Sequence, residues 1–204
     1  MSSVRQESVQ AGLVRFAESE IPTDVGTFRL LVYRCAATGD EHLAIVRGDV
    51  QGASSVLCRI HSECWTGETL GSLRCDCRQQ LDRALAEIAR EGAGVVVYLR
   101  QEGRGIGLGN KVRAYALQDA GHDTVDANKM LGFPADGRRY DAAAVILRDL
   151  GVQSVRLLTN NPDKVKGLVS AGMPVDGRVP IRVEPNETNA AYLETKRTRL
   201  GHLL

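Results

Sequence analysis

The strongest constraint on this chain is the interleaving, after residue 77, of short, mostly apolar runs with amphipathic helical segments. GVVVYLR (94–100) and VRLLT (155–159) carry apolar residues at successive positions. A strand of that kind must be covered on both faces, as in a buried sheet. RQQLDRALAEIAREG (78–92) places Leu81, Leu85 and Ile88 on one helical face and stops at Gly92. LGNKVRAYALQDAG and RRYDAAAVILRDLG repeat the pattern and end at Gly121 and Gly151. Asn160-Asn161-Pro162 opens a further helix, PDKVKGLVSAG. Proline suits that position because its missing N–H would be unpaired there. VPIRV (179–183) reads as a last strand and TNAAYLETKRTRLG (188–201) as a last helix. Before residue 77 the character differs: FRLLVYRC, HLAIVRGDV and SSVLCRIHS are β-rich and are separated by the turn-prone ATGDE and QGA. The expected fold class is α/β, a mixed β-sheet covered by helices, with a β-rich N-terminal third followed by alternating helices and strands. Residues 1–12 are polar and read as a disordered tail. Residues 13–204 read as a single domain without internal repeats.

The charge balance excludes some function classes. Twenty-six Lys and Arg against 25 Asp and Glu leave a formal charge of +1, so the whole-molecule field makes no case for nucleic acid or an anionic membrane. Any phosphate must be met by local clusters. No segment approaches the apolar length of a membrane span, and the N-terminus lacks the apolar centre of a secretory signal. A cytoplasmic location is expected. Five cysteines, an odd number, in a reducing compartment argue against a disulfide framework.

Three of those cysteines, Cys64, Cys75 and Cys77, stand as C-x10-C-x-C. Their thiolates can converge on one Zn²⁺ if the intervening segment loops back. A structural zinc site normally has four protein ligands, whereas a catalytic one leaves a position for water, whose pKa the metal lowers. Cys58 lies about 20 Å from Cys64 along a straight strand and makes a poor fourth ligand. A structural zinc knuckle and three buried free thiols remain alternatives, although the paired C-x2–4-C hooks of zinc fingers are absent. A nucleobase deaminase would carry H-x-E followed by P-C-x-x-C. His61-Ser62-Glu63 fits the first half, but Cys75 and Cys77 are one residue apart and no proline precedes them.

Basic residues recur at loop positions: Arg59, Arg74, Arg100, Arg104, Arg138 and Lys164. The Gly-rich stretch from Arg100 to Gly109 precedes a helix, where backbone N–H groups can approach an anion. It matches neither a P-loop nor a dinucleotide fingerprint, and a plain flexible loop reads equally well. Thr159 and Lys164 flank a strand-to-helix passage, where open α/β sheets bind ligands. Asn160 and Asn161 read better as turn and capping residues. Asp136 could be an N-cap and Arg138 a solvated charge.

RIHSECWTGETLGSLRCDC, RQEGRGIGLGNKVRAYALQDAGHDT, ANKMLGF and RLLTNNPDKV, in that order, resemble GTP cyclohydrolase II, from about Phe16 to the C-terminal GHLL. The resemblance implies hydrolysis of GTP to 2,5-diamino-6-ribosylamino-4(3H)-pyrimidinone 5′-phosphate, formate and pyrophosphate, the first step of riboflavin biosynthesis. It implies one Zn²⁺ per subunit, Mg²⁺ with the GTP phosphates, and a homodimer. Carried over by position, Cys64, Cys75 and Cys77 are the zinc ligands. Asp136 is the proton acceptor, Arg138 the residue at the α-phosphate, and Tyr115 the tyrosine beside the metal. A guanidinium is a poor nucleophile at neutral pH, so charge stabilisation is the physically safer role for Arg138. The GTP contacts fall on Arg59, Ile60, His61, Ser62, Glu63, Gln80, Glu102, Gly103, Arg104, Thr124, Thr159 and Lys164. A carboxylate at Glu102 could accept from both N1–H and the 2-amino group of guanine.

Two positions depart from the family pattern. Trp65 replaces an aliphatic residue. Arg78 stands where glycine is common, so a slightly different loop after the last ligand is expected, with a cation near the thiolates. Two further readings are a variant that stops at the formamidopyrimidine intermediate, which retention of Tyr115 disfavours, and a non-catalytic nucleotide-binding protein with structural zinc.

Overall fold

A computed structural model describes residues 12–121, 124–134, 136–184, 188–189, 194, 197–198, 201 and 203. The expected N-terminal tail lies almost entirely outside these residues. So does most of the expected last helix, of which Glu194, Arg197 and Thr198 are helical. The chain forms two compact units: Met1–His61 with Leu81–Arg100 and Arg139–Ile181, and Ser62–Gln80 with Gln101–Arg138 and Arg182–Leu204.

The first unit is built on a seven-stranded mixed sheet. In chain order its strands are β1 (Leu13–Thr23), β2 (Gly26–Cys35), β3 (Glu41–Arg47), β4 (Val56–Ser62), β5 (Gly94–Leu99), β6 (Val155–Leu158) and β7 (Val175–Val179). Their spatial order is β1-β2-β3-β5-β4-β6-β7. β1, β2, β3 and β5 pair antiparallel in succession, while β4, β6 and β7 run parallel. The mixed sheet and the β-rich N-terminal third agree with the sequence.

Side-chain alternation distributes the apolar residues over two cores. Val95, Val97 and Leu99 of β5, with Cys58 and Ile60 of β4, face a cluster shared with Ala143, Ile146, Leu147 and Leu168 of the Asp141–Asp149 and Pro162–Ser170 helices. Val96 and Leu57 face a second cluster with Phe28, Ala84 and Ile88, and Leu81 and Leu85 pack against it. Those helical residues belong to Cys77–Glu91, the stripe read from its spacing. The continuous apolar run of β5 is explained by this coverage of both faces.

Two strands differ from expectation. β1 was not foreseen, because it is exposed along nearly its whole length and carries no apolar face to read. Its order comes from pairing with β2, with a bulge between Arg15 and Ala17. The last strand is Val175–Val179 rather than 179–183. Pro180 has no N–H to donate, which ends the ladder. Ile181 instead packs in the second core, and its N–H and C=O are both met by the Asn160 amide.

Asp149, at the end of its helix, ties β1 and β2 down. Its carboxylate accepts from the Tyr33 hydroxyl at 2.6 Å and from the Arg15 guanidinium at 2.7 Å. Partial burial pushes its pKa up, but the Tyr33 hydrogen bond and Arg15 outweigh this and hold it below the ordinary value. A depressed folded-state pKa contributes stability above the unfolded carboxylate pKa, about 3.9, that is lost as pH falls through the folded value. Asp149 is 45% exposed, so solvent screening limits the contribution to about 1 kcal/mol. Asp149→Asn should therefore lower the thermal midpoint at pH 7. The gap from the wild type should close as the pH is taken below about 4, as followed by circular dichroism.

Candidate active site

The second unit begins where β4 ends. Cys64 precedes a one-turn helix, Trp65–Glu68, and the chain then loops through Cys75 to Cys77, the first residue of the long helix. The three sulfurs lie within 4.8 Å of one another, with Cys64 and Cys75 at 3.6 Å. Ligands held about 2.3 Å from a tetrahedral ion stand about 3.8 Å apart, so this donor set fits zinc. Among the described residues no other group of three metal-ligating side chains comes together. Cys58 instead lies in the sheet core, where burial pushes its thiol up to about 12. Hydrogen bonds from Cys75 and Cys77, helped by Lys111, hold Cys64 far below the ordinary thiol range against the effect of burial. The same bonds to Cys64 push Cys75 and Cys77 upward.

Backbone packing sets this convergence. A Cβ on Gly67 would stand 2.9 Å from the Cys75 sulfur and 3.2 Å from that of Cys64. Only glycine lets the short helix lie this close. Arg78 sits in the first turn of the Cys77–Glu91 helix and has no left-handed backbone. A helical position needs no glycine, so Arg78 is accommodated there without backbone strain. Its guanidinium donates to Glu68 O at 2.9 Å. The cation placed against a sulfur is Lys111, with Nζ 3.1 Å from Cys64 Sγ. The Trp65 side chain is 44% exposed, which leaves room for a larger residue there.

The Gly107–Asp119 helix brings Lys111 and Tyr115, four residues apart on one face, to this cluster. The Tyr115 hydroxyl lies 3.4 Å from Thr66 Oγ1, which is 3.8 Å from Cys64 Sγ. Burial raises the Tyr115 pKa against the opposing Thr66 hydrogen bond and Lys111 charge, so it stays a phenol. Glu102 is buried. Its Oε2 accepts from Trp65 N–H at 2.6 Å, and its Oε1 from Gly103 N–H at 2.6 Å and Lys111 Nζ at 2.8 Å. Gly103 and Arg104 both adopt left-handed backbone, so the Gly-rich stretch is a defined turn. Arg104 O accepts from Gly137 N–H at 3.1 Å, which places the Asp136–Arg138 loop on that turn. Asp136 grips Arg138 through its N–H at 3.0 Å and through Nε and Nη2 of its guanidinium. Asp136 is no N-cap: the next helix is entered from Tyr140. Arg138 is no solvated charge either, with its side chain 12% exposed. Burial would raise the Asp136 pKa, but the Arg138 hydrogen bonds and charge lower it.

In the first unit, a second group gathers at the ends of the parallel strands β4 and β6. Arg59 and His61 are buried on β4, and Arg59 donates to Leu158 O at 2.9 Å. Lys164, also buried, donates to Ile60 O at 2.9 Å. Thr159 Oγ1 accepts from Asn161 N–H at 3.0 Å, and Asn161 caps the following helix by accepting from Asp163 N–H. The capping reading of Asn161 holds, whereas the Asn160 amide instead fastens the distant Ile181 backbone.

The GTP cyclohydrolase II family matches residues 14–180 of the chain, across both units. The chain belongs to the GTP cyclohydrolase II family. It is 55% identical over 192 residues to the riboflavin biosynthesis protein RibBA of Bacillus cereus and to that of Bacillus mycoides, covering 94% of this chain and 48% of each relative. The RibBA of Chlorobium phaeovibrioides is 55% identical over 190 residues, 93% of this chain and 46% of the relative. The chain thus spans about half the length of these curated relatives. A crystal structure titled RibBX, a two-domain 3,4-dihydroxy-2-butanone 4-phosphate synthase from A. baumannii, matches at a TM-score of 0.50 with 22% identity, over 89% of this chain and 43% of that one. It speaks to fold alone.

The residues assigned from the family motifs divide between the two units. Arg59, Ile60, His61, Thr159 and Lys164 lie in the first. Ser62, Glu63, Gln80, Glu102, Gly103, Arg104, Thr124, Tyr115, Asp136 and Arg138 lie with the cysteines in the second. Ser62 accepts from Gln101, and Gln80 donates to the buried Asp76. Thr124 opens the Thr124–Met130 helix. Gly67 and Lys111 were missed. A glycine between metal-ligand candidates, and a lysine one helical turn before a site tyrosine, were the available signals.

Gly67→Ala should therefore cut zinc content by more than half, measured by atomic absorption after equilibration with a zinc buffer, while far-ultraviolet dichroism stays near wild type. Cys75→Ser should abolish binding in the same assay.

Proposed function

We propose that this chain hydrolyses GTP to 2,5-diamino-6-ribosylamino-4(3H)-pyrimidinone 5′-phosphate, formate and pyrophosphate. Three waters are consumed: one opens the imidazole ring at C8, one releases C8 as formate, and one cleaves between the α- and β-phosphates. The observation that carries this reading is the convergence of Cys64, Cys75 and Cys77 in the same compact unit as Tyr115, Glu102 and the Asp136–Arg138 pair. A zinc ion held by the three cysteines would supply Lewis acidity and activated solvent for the attack at C8.

The chain's own residues have separable tasks in this proposal. Arg59, Thr159 and Lys164, with Ile60 and His61, are assigned to the nucleotide in the first unit. Buried cations at strand ends suit phosphate oxygens. In the second unit the neutral Tyr115 phenol can donate to or accept from the ring-opened intermediate. Glu102 reads the base. A carboxylate has about four lone-pair sites, and three protein donors already use three of them. Glu102 is therefore assigned one guanine N–H rather than two. Arg104 and Gln80, with Ser62, Glu63, Gly103 and Thr124, complete the assigned contacts. Arg138, bound to an ionised Asp136, stabilises charge developing on the α-phosphate, and Asp136 accepts the proton of the attacking water. Mg²⁺ accompanies the triphosphate, and the working unit is a homodimer in the cytoplasm. Among the described residues no helix is long and apolar enough to cross a membrane. The name of the RibBA relatives supports a place in riboflavin biosynthesis.

The test is a metal-replete assay with GTP in which formate, pyrophosphate and the pyrimidine are resolved by mass. The expected result is all three products at equal amounts, lost on chelation and restored by Zn²⁺. A product that retains the formyl mass would show a reaction stopping at ring opening. Tight GTP binding without turnover would overturn the enzymatic reading.

A further inference from the structure

Lys111 is a half-buried cation that the family assignment leaves without a task. Its side chain is 12% exposed, and that of its partner Glu102 is 8% exposed. Taking such a pair out of water costs several kcal/mol per ion, so it is weak evidence for stability. Its placement suggests another use. Lys111 Nζ lies 3.1 Å from Cys64 Sγ and 2.8 Å from Glu102 Oε1. It also stands 5.8 Å from the Tyr115 ring centroid. Glu102 in turn accepts from the N–H of Trp65, the residue that follows Cys64. The ammonium thus spans the sulfur, the base-reading carboxylate and the tyrosine.

From this geometry we propose that Lys111 is a positioning residue that sets the electron donation of the Cys64 sulfur and thereby the rate of GTP hydrolysis. The proposal rests on the reading that the three thiols hold zinc. Three thiolates and a divalent ion carry a net charge of −1. One ammonium fixed against them brings the cluster to neutrality, which a low-dielectric surrounding favours. A hydrogen bond to a thiolate also withdraws electron density from the metal–sulfur bond. The ion then keeps more of its Lewis acidity than a bare three-thiolate site would allow. Glu102 keeps the ammonium on this bearing, since its other two protein donors fix the carboxylate.

The test uses the full chain loaded with Co²⁺ in place of zinc, and compares Lys111→Met with Lys111→Arg. In Lys111→Met the thiolate-to-cobalt charge-transfer band should move to longer wavelength, because an unbonded thiolate gives up an electron more readily. Lys111→Arg should return the band toward the wild-type position. With zinc and GTP, Lys111→Met should lower kcat about 10–100-fold with KM within about threefold. An unmoved band or an unchanged kcat in Lys111→Met overturns the proposal, and so does a loss of thermal stability with no band shift, the signature of a plain structural ion pair. If Lys111→Met does not fold, Lys111→Gln is read by the same criteria. The band is recorded without nucleotide. A wild-type protein that turns over no GTP would therefore defeat the reaction reading, while the band would still decide whether Lys111 acts on the sulfur.

Discussion

Everything at the cysteine cluster depends on how closely a backbone can approach three sulfurs. The Trp65–Glu68 turn runs against Cys64 and Cys75 with the space of a missing Cβ at Gly67. Without that approach the loop between Cys64 and Cys75 could not fold back tightly enough to bring the thiols within 4.8 Å. The cluster is thus a property of the loop's packing as much as of its cysteines. It also places the Cys64 sulfur, held toward its thiolate form, in a buried place, and its neighbours in the second unit can be understood as the response. Lys111 compensates one sulfur, Glu102 holds Lys111, and the Trp65 and Gly103 N–H groups hold Glu102. Each group satisfies the next, as buried polar groups must.

The same chain of contacts carries order outward. Glu102 is the first residue of a turn whose next two residues are left-handed, an uncommon conformation for Arg104. Arg104 O accepts from Gly137 N–H, and a Cβ at Gly105 would meet Gly137 O at 3.2 Å. The Asp136–Arg138 loop is therefore seated on a turn that is itself fixed by the Cys64–Cys77 loop. Backbone strain at Arg104 is tolerated because both sides of the turn determine it. A flexible Gly-rich loop, the plain alternative from sequence, does not describe a segment with these fixed partners.

Much of this was legible in the sequence, and the exceptions have physical causes. The stripe Leu81, Leu85, Ile88 and the uninterrupted run of β5 report burial directly, because burial is what periodicity encodes. β1 was illegible because its order comes from backbone pairing with β2, and its exposed side chains leave no pattern. The last strand was displaced by four residues because the apolar 179–183 run is ended as a ladder by Pro180 and buried for another reason, the packing of Ile181. The cysteines declared themselves by spacing. Gly67 and Lys111 did not, because a close approach and a single cation become visible only when the neighbouring atoms have positions. Arg78 shows the converse. Its departure from the family pattern suggested a position suited to glycine, and the helix beginning at Cys77 gives it an ordinary backbone.

Geometry also bears on the chemical character of Arg138. A guanidinium could attack phosphorus only after losing a proton, and its ordinary pKa lies above 12. A carboxylate that accepts from its backbone N–H, its Nε and its Nη2 makes that loss harder, because it stabilises the cation. The same bonds hold the Asp136 pKa down, so both members are charged at neutral pH. In the proposed reaction this pair would present a cation to developing negative charge and a carboxylate to the proton of the attacking water. Nucleophilic attack by water at the α-phosphate needs those two functions together, and they do not require the arginine ever to form a covalent bond. On this argument the two residues work as one unit, with Asp136 holding Arg138 in its cationic form.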